Sequence, residues 1–365
     1  MLRKVSRVSI LAVIPFVYSH AVNAELTISL GENYTNSVWL DNYDLIENQG
    51  DFFNYDLVAN WPYASFINYG YVLNDLGSIQ FNDNGSLMNF GNFDNSGNLV
   101  LDWYSSFQNF NNFNNNGELL FGMYTSVLNT GILNNYYVVN GDPTTEFVNT
   151  GEMNNYHLFM QSIRNSGVVN NEGEIHAGYV INEVGSVFNN NLGTGIISWP
   201  GINIMEGQLD NHGVFNNFAN IHLEPKANAS SVTGMDPSVI NNSGFFDNSG
   251  EITNFIGGGL ILNNSGEFNQ NGIFSVYGDL IINNTGTFNN QSELNSGVAS
   301  DQVNNHGIFN NNNLIILNGP DSELNNTGDF YNNFGLEATS VVNAGYFENT
   351  GITTILGSLD RKSVV

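Results

Sequence analysis

The densest set of acidic groups in the chain is Asn82-Asp83-Asn84 together with Asp94, about half a repeat further on. Paired carboxylates are what acid–base cleavage of a glycosidic bond requires, either as acid and nucleophile or as acid and base. Lyases use carboxylates with a metal and a base, often Arg or Lys. Here the acids are scattered, no Asp-Asp dipeptide occurs, and Arg164 and Lys226 are the only cations between Arg7 and the last five residues. Hydrogen bonding on a solvated corner therefore outweighs catalysis, and no catalytic residue is assigned. His20, His157, His176, His212, His222 and His306 lack a metal-ligand spacing, and there is no cysteine for a thiolate site. His212 and His306 stand in Asn-His-Gly triplets and read as corner substituents. The Gly-Gly-x-Gly-x-Asp signature of calcium-binding β-rolls is missing, because Gly257-Gly258-Gly259 runs into Leu-Ile-Leu. No cofactor is expected beyond weak Ca2+ binding by scattered Asp and Asn oxygens, with no ligand residues assignable.

The chain starts like a secretory leader. Arg3, Lys4 and Arg7 precede an apolar run, Val8–Val17, and Val22-Asn23-Ala24 offers a cleavage site. The run is too short to span a bilayer. Residues 1–24 are read as a signal peptide, and the mature protein as extracellular or cell-surface. Its loss leaves four Lys and Arg against 34 Asp and Glu, a charge of −30. Nucleic acid is excluded as a partner, since phosphate backbones are bound by clusters of cations. A membrane anchor, if there is one, lies outside this chain.

What must position these residues is a repeat. The glycines of Asn-Asn-Ser/Thr-Gly and its variants fall at Gly244, Gly266, Gly286, Gly307, Gly328 and Gly345. Two residues after each stands Phe246, Phe268, Phe288, Phe309, Phe330 or Phe347. Before the Asn pair stands Ile240, Leu262, Ile282, Val303, Leu324 or Val341. Short β-favouring runs between Gly, Asn and Ser divide each period of about twenty residues into three. The frequent Gly and Asn disfavour helix.

The expected fold is all-β: a single-stranded parallel β-solenoid with three short strands per coil and about sixteen coils. Stacked coils bring like residues into register, so Phe and aliphatic columns form the interior and Asn side chains can bond along the axis. The 67 Asn fit a corner residue, since Asn and Gly tolerate left-handed backbone. Residues 25–80, rich in aromatics (Tyr34, Trp39, Tyr43, Trp61, Tyr63), read as an N-terminal cap or irregular coils. The repeats run over 81–356, with loops near 193–203 and 223–238. Residues 357–365 read as a tail, with truncation expected there.

The Asn263–Phe268 period resembles the Asn/Gly-rich β-helical shafts of secreted bacterial adhesins, such as filamentous-haemagglutinin-like and autotransporter-passenger proteins, over residues 85–356. No Asn-Pro dipeptide is present, so the Asn-Pro-Asn motif of haemagglutinin secretion domains is missing, and so is an outer-membrane barrel. The resemblance implies attachment to host-cell or surface glycans and proteins, with an anchoring part beyond Val365. The expected function is a non-enzymatic structural or adhesive protein that binds through its loops. The alternative is a carbohydrate-active β-helix enzyme using Asp83 or Asp94.

Overall fold

The computed structural model describes residues 20–22, 25–142, 145–192, 201–224, 236–254, 258–295, 300–317 and 319–361. They contain strands and no helix, hence no helix able to cross a membrane. The chain forms two compact units, Met1–Gln161 and Ser162–Val365. Each is a parallel β-solenoid with three strands per coil. Ser86–Asn89, Asn92–Asn95 and Asn98–Leu101 make one coil of the first unit, paired in register with strands about twenty residues on, such as Phe93 with Phe113.

Alternation sends every second residue inward. Leu87, Asn89, Phe93, Asn95, Leu99 and Leu101 are all fully buried. In the second unit Phe188, Phe215, Phe246, Phe268, Phe288, Phe309, Phe330 and Phe347 form one column, with ring centroids 4.7–5.3 Å apart. The column follows the period read in the sequence, which also holds at Gly213-Val-Phe215, and Phe188 extends it by one more ring.

The buried asparagines need a physical account, since an amide taken from water without partners is costly. Asn89 Nδ2 donates to Asn109 Oδ1 at 2.8 Å, and Asn109 Nδ2 to Asn129 Oδ1 at 2.7 Å. The second N–H of each reaches a backbone carbonyl of the next coil, Asn112 O for Asn89. Asn95, Asn115 and Asn135 repeat the arrangement. The second unit does the same through Asn242, Asn264, Asn284, Asn305 and Asn326. Each amide accepts from the coil before and donates to the coil after. Asn carries a carboxamide, two N–H donors and a carbonyl acceptor, on a single methylene, the shortest stem any amide side chain has.

Two places break the rule. At the first rungs, Asn36 and Asn48 Oδ1 have no donor; the partner below Asn48 is Ile28, which carries no amide. In the second unit Gln270 replaces an asparagine. It accepts from Asn248, but its longer stem turns Nε2 onto Gly272 O, and Asn290 Oδ1 is left buried without a partner.

The corner glycines have a different cause from the one read in the sequence. Positive φ is absent from the Asn-Asn-x-Gly corners. Instead a Cβ on Gly266 would lie 2.0 Å from Gly244 O, and one on Gly286 2.1 Å from Gly266 O. Glycine stands there because the previous coil's carbonyl fills the space. The Asn242 carbonyl accepts from both Ser265 N and Gly266 N, which draws the corner in.

The boundaries also differ from expectation. Residues 33–81 already carry the three-strand coil, with Asn33–Asn36, Asp51–Asn54 and Tyr71–Asn74 in register, so irregular coils do not extend to residue 80. Residues 193–200 and 225–235 lie outside the described residues. Gly201 to Asn203 belong to the strand Gly201–Asn211, and Leu223 and Ser238 end or begin strands. Register holds on both sides of these segments: Val187–Asn190 pairs with Val214–Asn217, which pairs with Phe245–Asn248. Where the glycine step falls to 17, Gly335–Asn343 runs through the corner as one strand, with a bulge between Ala338 and Ser340. Residues 357–361 are no tail but part of the strand Ile352–Arg361. Of residues 1–24, read in the sequence as a leader, only His20–Val22 is described, as a strand beside Leu40–Asn42.

Three substitutions test this reading by urea unfolding. Gly266→Ala should destabilise by about 1–3 kcal/mol through overpacking. Gly335→Ala, whose added methyl would meet only the movable end of Leu314, should cost much less. Gln270→Asn should restore the missing rung to Asn290 and raise stability by about 0.5–1.5 kcal/mol.

Candidate functional site

With the interior filled, chemistry is left to the outward positions, and these differ between the units. Among the described residues, thirteen exposed aromatic rings lie in the first unit against four in the second, Phe218, Tyr277, Phe334 and Tyr346. They come in rows, because corners stack as the core does. Tyr69, Phe90 and Phe110 each follow the buried Asn that ends a first strand. Tyr69 and Phe90 lie 5.1 Å apart at 11°, and Phe90 and Phe110 4.5 Å apart at 2°. Tyr136 and Tyr156 form a second row at 5.0 Å, after the second strand. Tyr104 and Tyr124 form a third at 5.1 Å, in the turn after the third strand.

The third row carries strain. Tyr63, Tyr104 and Tyr124 sit at φ 68°, 57° and 58°, and the same turn holds Asn84 at φ 60°. A left-handed L-residue costs on the order of 1–2 kcal/mol, least for Asn. The turn thus works with Asn, and tyrosine is the less comfortable choice for the backbone. Such an outlier points to a role of the side chain.

Tyr69 and Phe90 of the first row wall a depression of about 460 Å³. Gly50, Gly70 and Gly91 form its floor, stacked so tightly that a Cβ on Gly70 or Gly91 would fall 2.0 Å from the preceding glycine's carbonyl. Leu30 and Gly31 close one end, and Asp51, Tyr71, Asn92 and Asn111 supply polar groups. The result is a groove with an apolar wall, a flat floor and hydrogen-bonding groups opposite. Corner N–H groups are already spent on the previous coil, as Gly70 N on Asn48 O and Gly91 N on Asn68 O. A ligand would meet side chains here.

Asp94 joins the groove indirectly. The Tyr71 hydroxyl donates to Asp94 Oδ2 at 2.8 Å, and Asn114 Nδ2 to Oδ1 at 2.7 Å. Burial, then the bond to Asp94 and the charges of Asp94 and Asp51, push the Tyr71 phenol up to about 12. Asp83, in contrast, is exposed in the turn after the third strand, where its carbonyl accepts from Tyr63 N. The two acids linked in the sequence thus stand at different places on the coil: a turn corner and the second strand.

The histidines are also dispersed. His212 Nδ1 meets Ser243 Oγ at 2.6 Å, and His306 meets Thr327, so these corner residues bond to the corner hydroxyl of the next coil. His222 pairs with Thr253 at 2.9 Å, His176 with Glu174, and His157 lies against Tyr137 with centroids 5.4 Å apart. Among the described residues no three His or acidic side chains converge as a metal-ligand set. The aromatic rows were missed from sequence, although the repeated Asn68-Tyr69, Asn89-Phe90 and Asn109-Phe110 were a usable signal.

The fold and these surfaces define the class: a parallel β-helix with an aromatic-lined surface groove in its first unit. No family model, curated protein or solved structure matches the chain, so the functional argument rests on geometry.

The Tyr71–Asp94 contact has a pH signature. The folded value lies above the ordinary 10, so the contribution to stability is whole below pH 10 and fades as pH rises toward 12. Tyr71→Phe should remove one late-ionising phenol from an alkaline absorbance titration. Asp94→Asn should move that step downward without abolishing it.

Proposed function

We propose that the chain is an extracellular or cell-surface adhesive β-helix that binds glycans without cleaving them, through the groove beside Tyr69 and Phe90. The observation that carries this reading is the pairing of an offset-stacked apolar wall with polar side chains across a glycine floor. A sugar has the matching duality, with apolar C–H faces and a rim of hydroxyls. Exposed aromatic rings of this kind mark binding surfaces in soluble proteins. The rows run from coil to coil, which suits an extended chain. Asp51 and the overall acidity favour neutral or amino sugars over uronic acids and sulfated glycans. The adhesin-like period and the leader support the same assignment and its surface location.

The test is binding of the full chain to a panel of neutral, amino and acidic polysaccharides, with release of reducing ends followed in parallel. Neutral or amino glycans should bind and polygalacturonate should not. Phe90→Ser should weaken binding at least about tenfold, the loss of roughly 1.4 kcal/mol of contact, with the unfolding midpoint little changed because Phe90 is exposed. Undiminished binding by that variant would move the site elsewhere. Released reducing ends would replace adhesion with catalysis.

A further inference from the structure

A second site in the first unit is built on different chemistry. Asp41 occupies an outward strand position between Ala21 and Ala59, and with His20–Val22 in place it is only 9% exposed. Its cover is aromatic. Trp39 Nε1 donates to Asp41 Oδ1 at 2.9 Å, and Trp61 Nε1, from the next coil, donates to the same oxygen at 3.0 Å. Tyr43 stacks on Trp61 with centroids 5.5 Å apart and planes within 4°. These rings are themselves partly open, Trp39 at 48%, Tyr43 at 45% and Trp61 at 39% exposed.

A carboxylate so withdrawn from water ordinarily has a cation beside it. No Lys or Arg occurs between Arg7 and Arg164, so residues 8–163 supply no permanent cation. Two indole N–H groups satisfy one oxygen but do not cancel the charge. Oδ2 receives no hydrogen bond from the described residues. The site therefore joins a carboxylate that has no Lys or Arg partner to two partly open indoles, held to it by their N–H edges, and to Tyr43 stacked on Trp61; a cation with an apolar shell can meet the carboxylate and the open aromatic surface together. A small, strongly hydrated ion such as Na+ gains little from indole walls, whereas an alkylated ammonium buries its methyl groups against them.

We infer that Trp39, Asp41, Tyr43 and Trp61 form a binding site for organic ammonium groups, of the quaternary or methylated kind. This site is independent of the glycan groove, and either can stand without the other.

The experiment titrates the full chain with choline, following tryptophan fluorescence. The same titration is run with 3,3-dimethylbutan-1-ol, a neutral molecule of the same shape. Choline should saturate, and the neutral isostere should bind at least about tenfold more weakly, as expected when charge and π-face act together. Asp41→Asn keeps the shape and both indole acceptors, and it should lower choline affinity by a similar factor. Equal binding of the isostere, unchanged affinity in Asp41→Asn, or no saturation by choline would each overturn the inference. The isostere comparison uses the unaltered protein, so it decides the matter even if the variant folds poorly.

Discussion

Buried amides handing one hydrogen bond forward, coil to coil, are the interaction on which the rest depends. Each ladder asparagine is taken out of water and satisfied only if the next coil places its own Oδ1 within reach, as Asn264 does for Asn242 and Asn284 for Asn264. An unpaired buried amide costs about 1–3 kcal/mol, so a coil out of register would leave several such groups stranded. Register is thereby fixed far more tightly than by the apolar columns alone, whose contacts are non-directional. The orphaned Asn290 Oδ1 above Gln270 shows how narrow the tolerance is: one added methylene removes a rung.

The ladder also explains what varies freely. The rung survives a longer separation in the chain: Asn190 still donates to Asn217, 27 residues on. The outward faces answer to fewer demands. In the second unit they repeat the amide theme, with Asn263, Asn283, Asn304 and Asn325 donating back along the surface. In the first unit the same freedom is filled with aromatic rings, some at left-handed turn positions where Asn84 shows a less strained alternative. A surface that spends backbone comfort on exposed tyrosine has been shaped by something other than folding.

Charge and scaffold act together. A surface with few cations repels polyanions at long range, while its apolar rows and partly buried carboxylates, Asp41 and Asp94 among them, supply short-range contacts. This balance suits the neutral and cationic ligands proposed above. Because each coil rests mainly on its neighbours, groups from successive coils are held about 4.8 Å apart, and a linear ligand meets the same chemistry repeatedly.

The coil, its three strands and its core columns were legible in the sequence, since Phe246 through Phe347 and Ile240 through Val341 recur with the period and a recurring apolar residue has one stable place in a stacked fold. The Asn-Asn-x-Gly phrase was legible as a corner but not in its parts. Tertiary structure decided that Asn264 points in and Asn263 out, and that Gly266 is required by the Gly244 carbonyl rather than by its own φ. The candidate sites were decided there too. Tyr69 and Phe90 become a wall, and Trp39 and Trp61 meet on one oxygen of Asp41, only when coils twenty residues apart in the chain are stacked. Composition and period fix what repeats along a solenoid, and through-space stacking alone fixes which outward residues become neighbours.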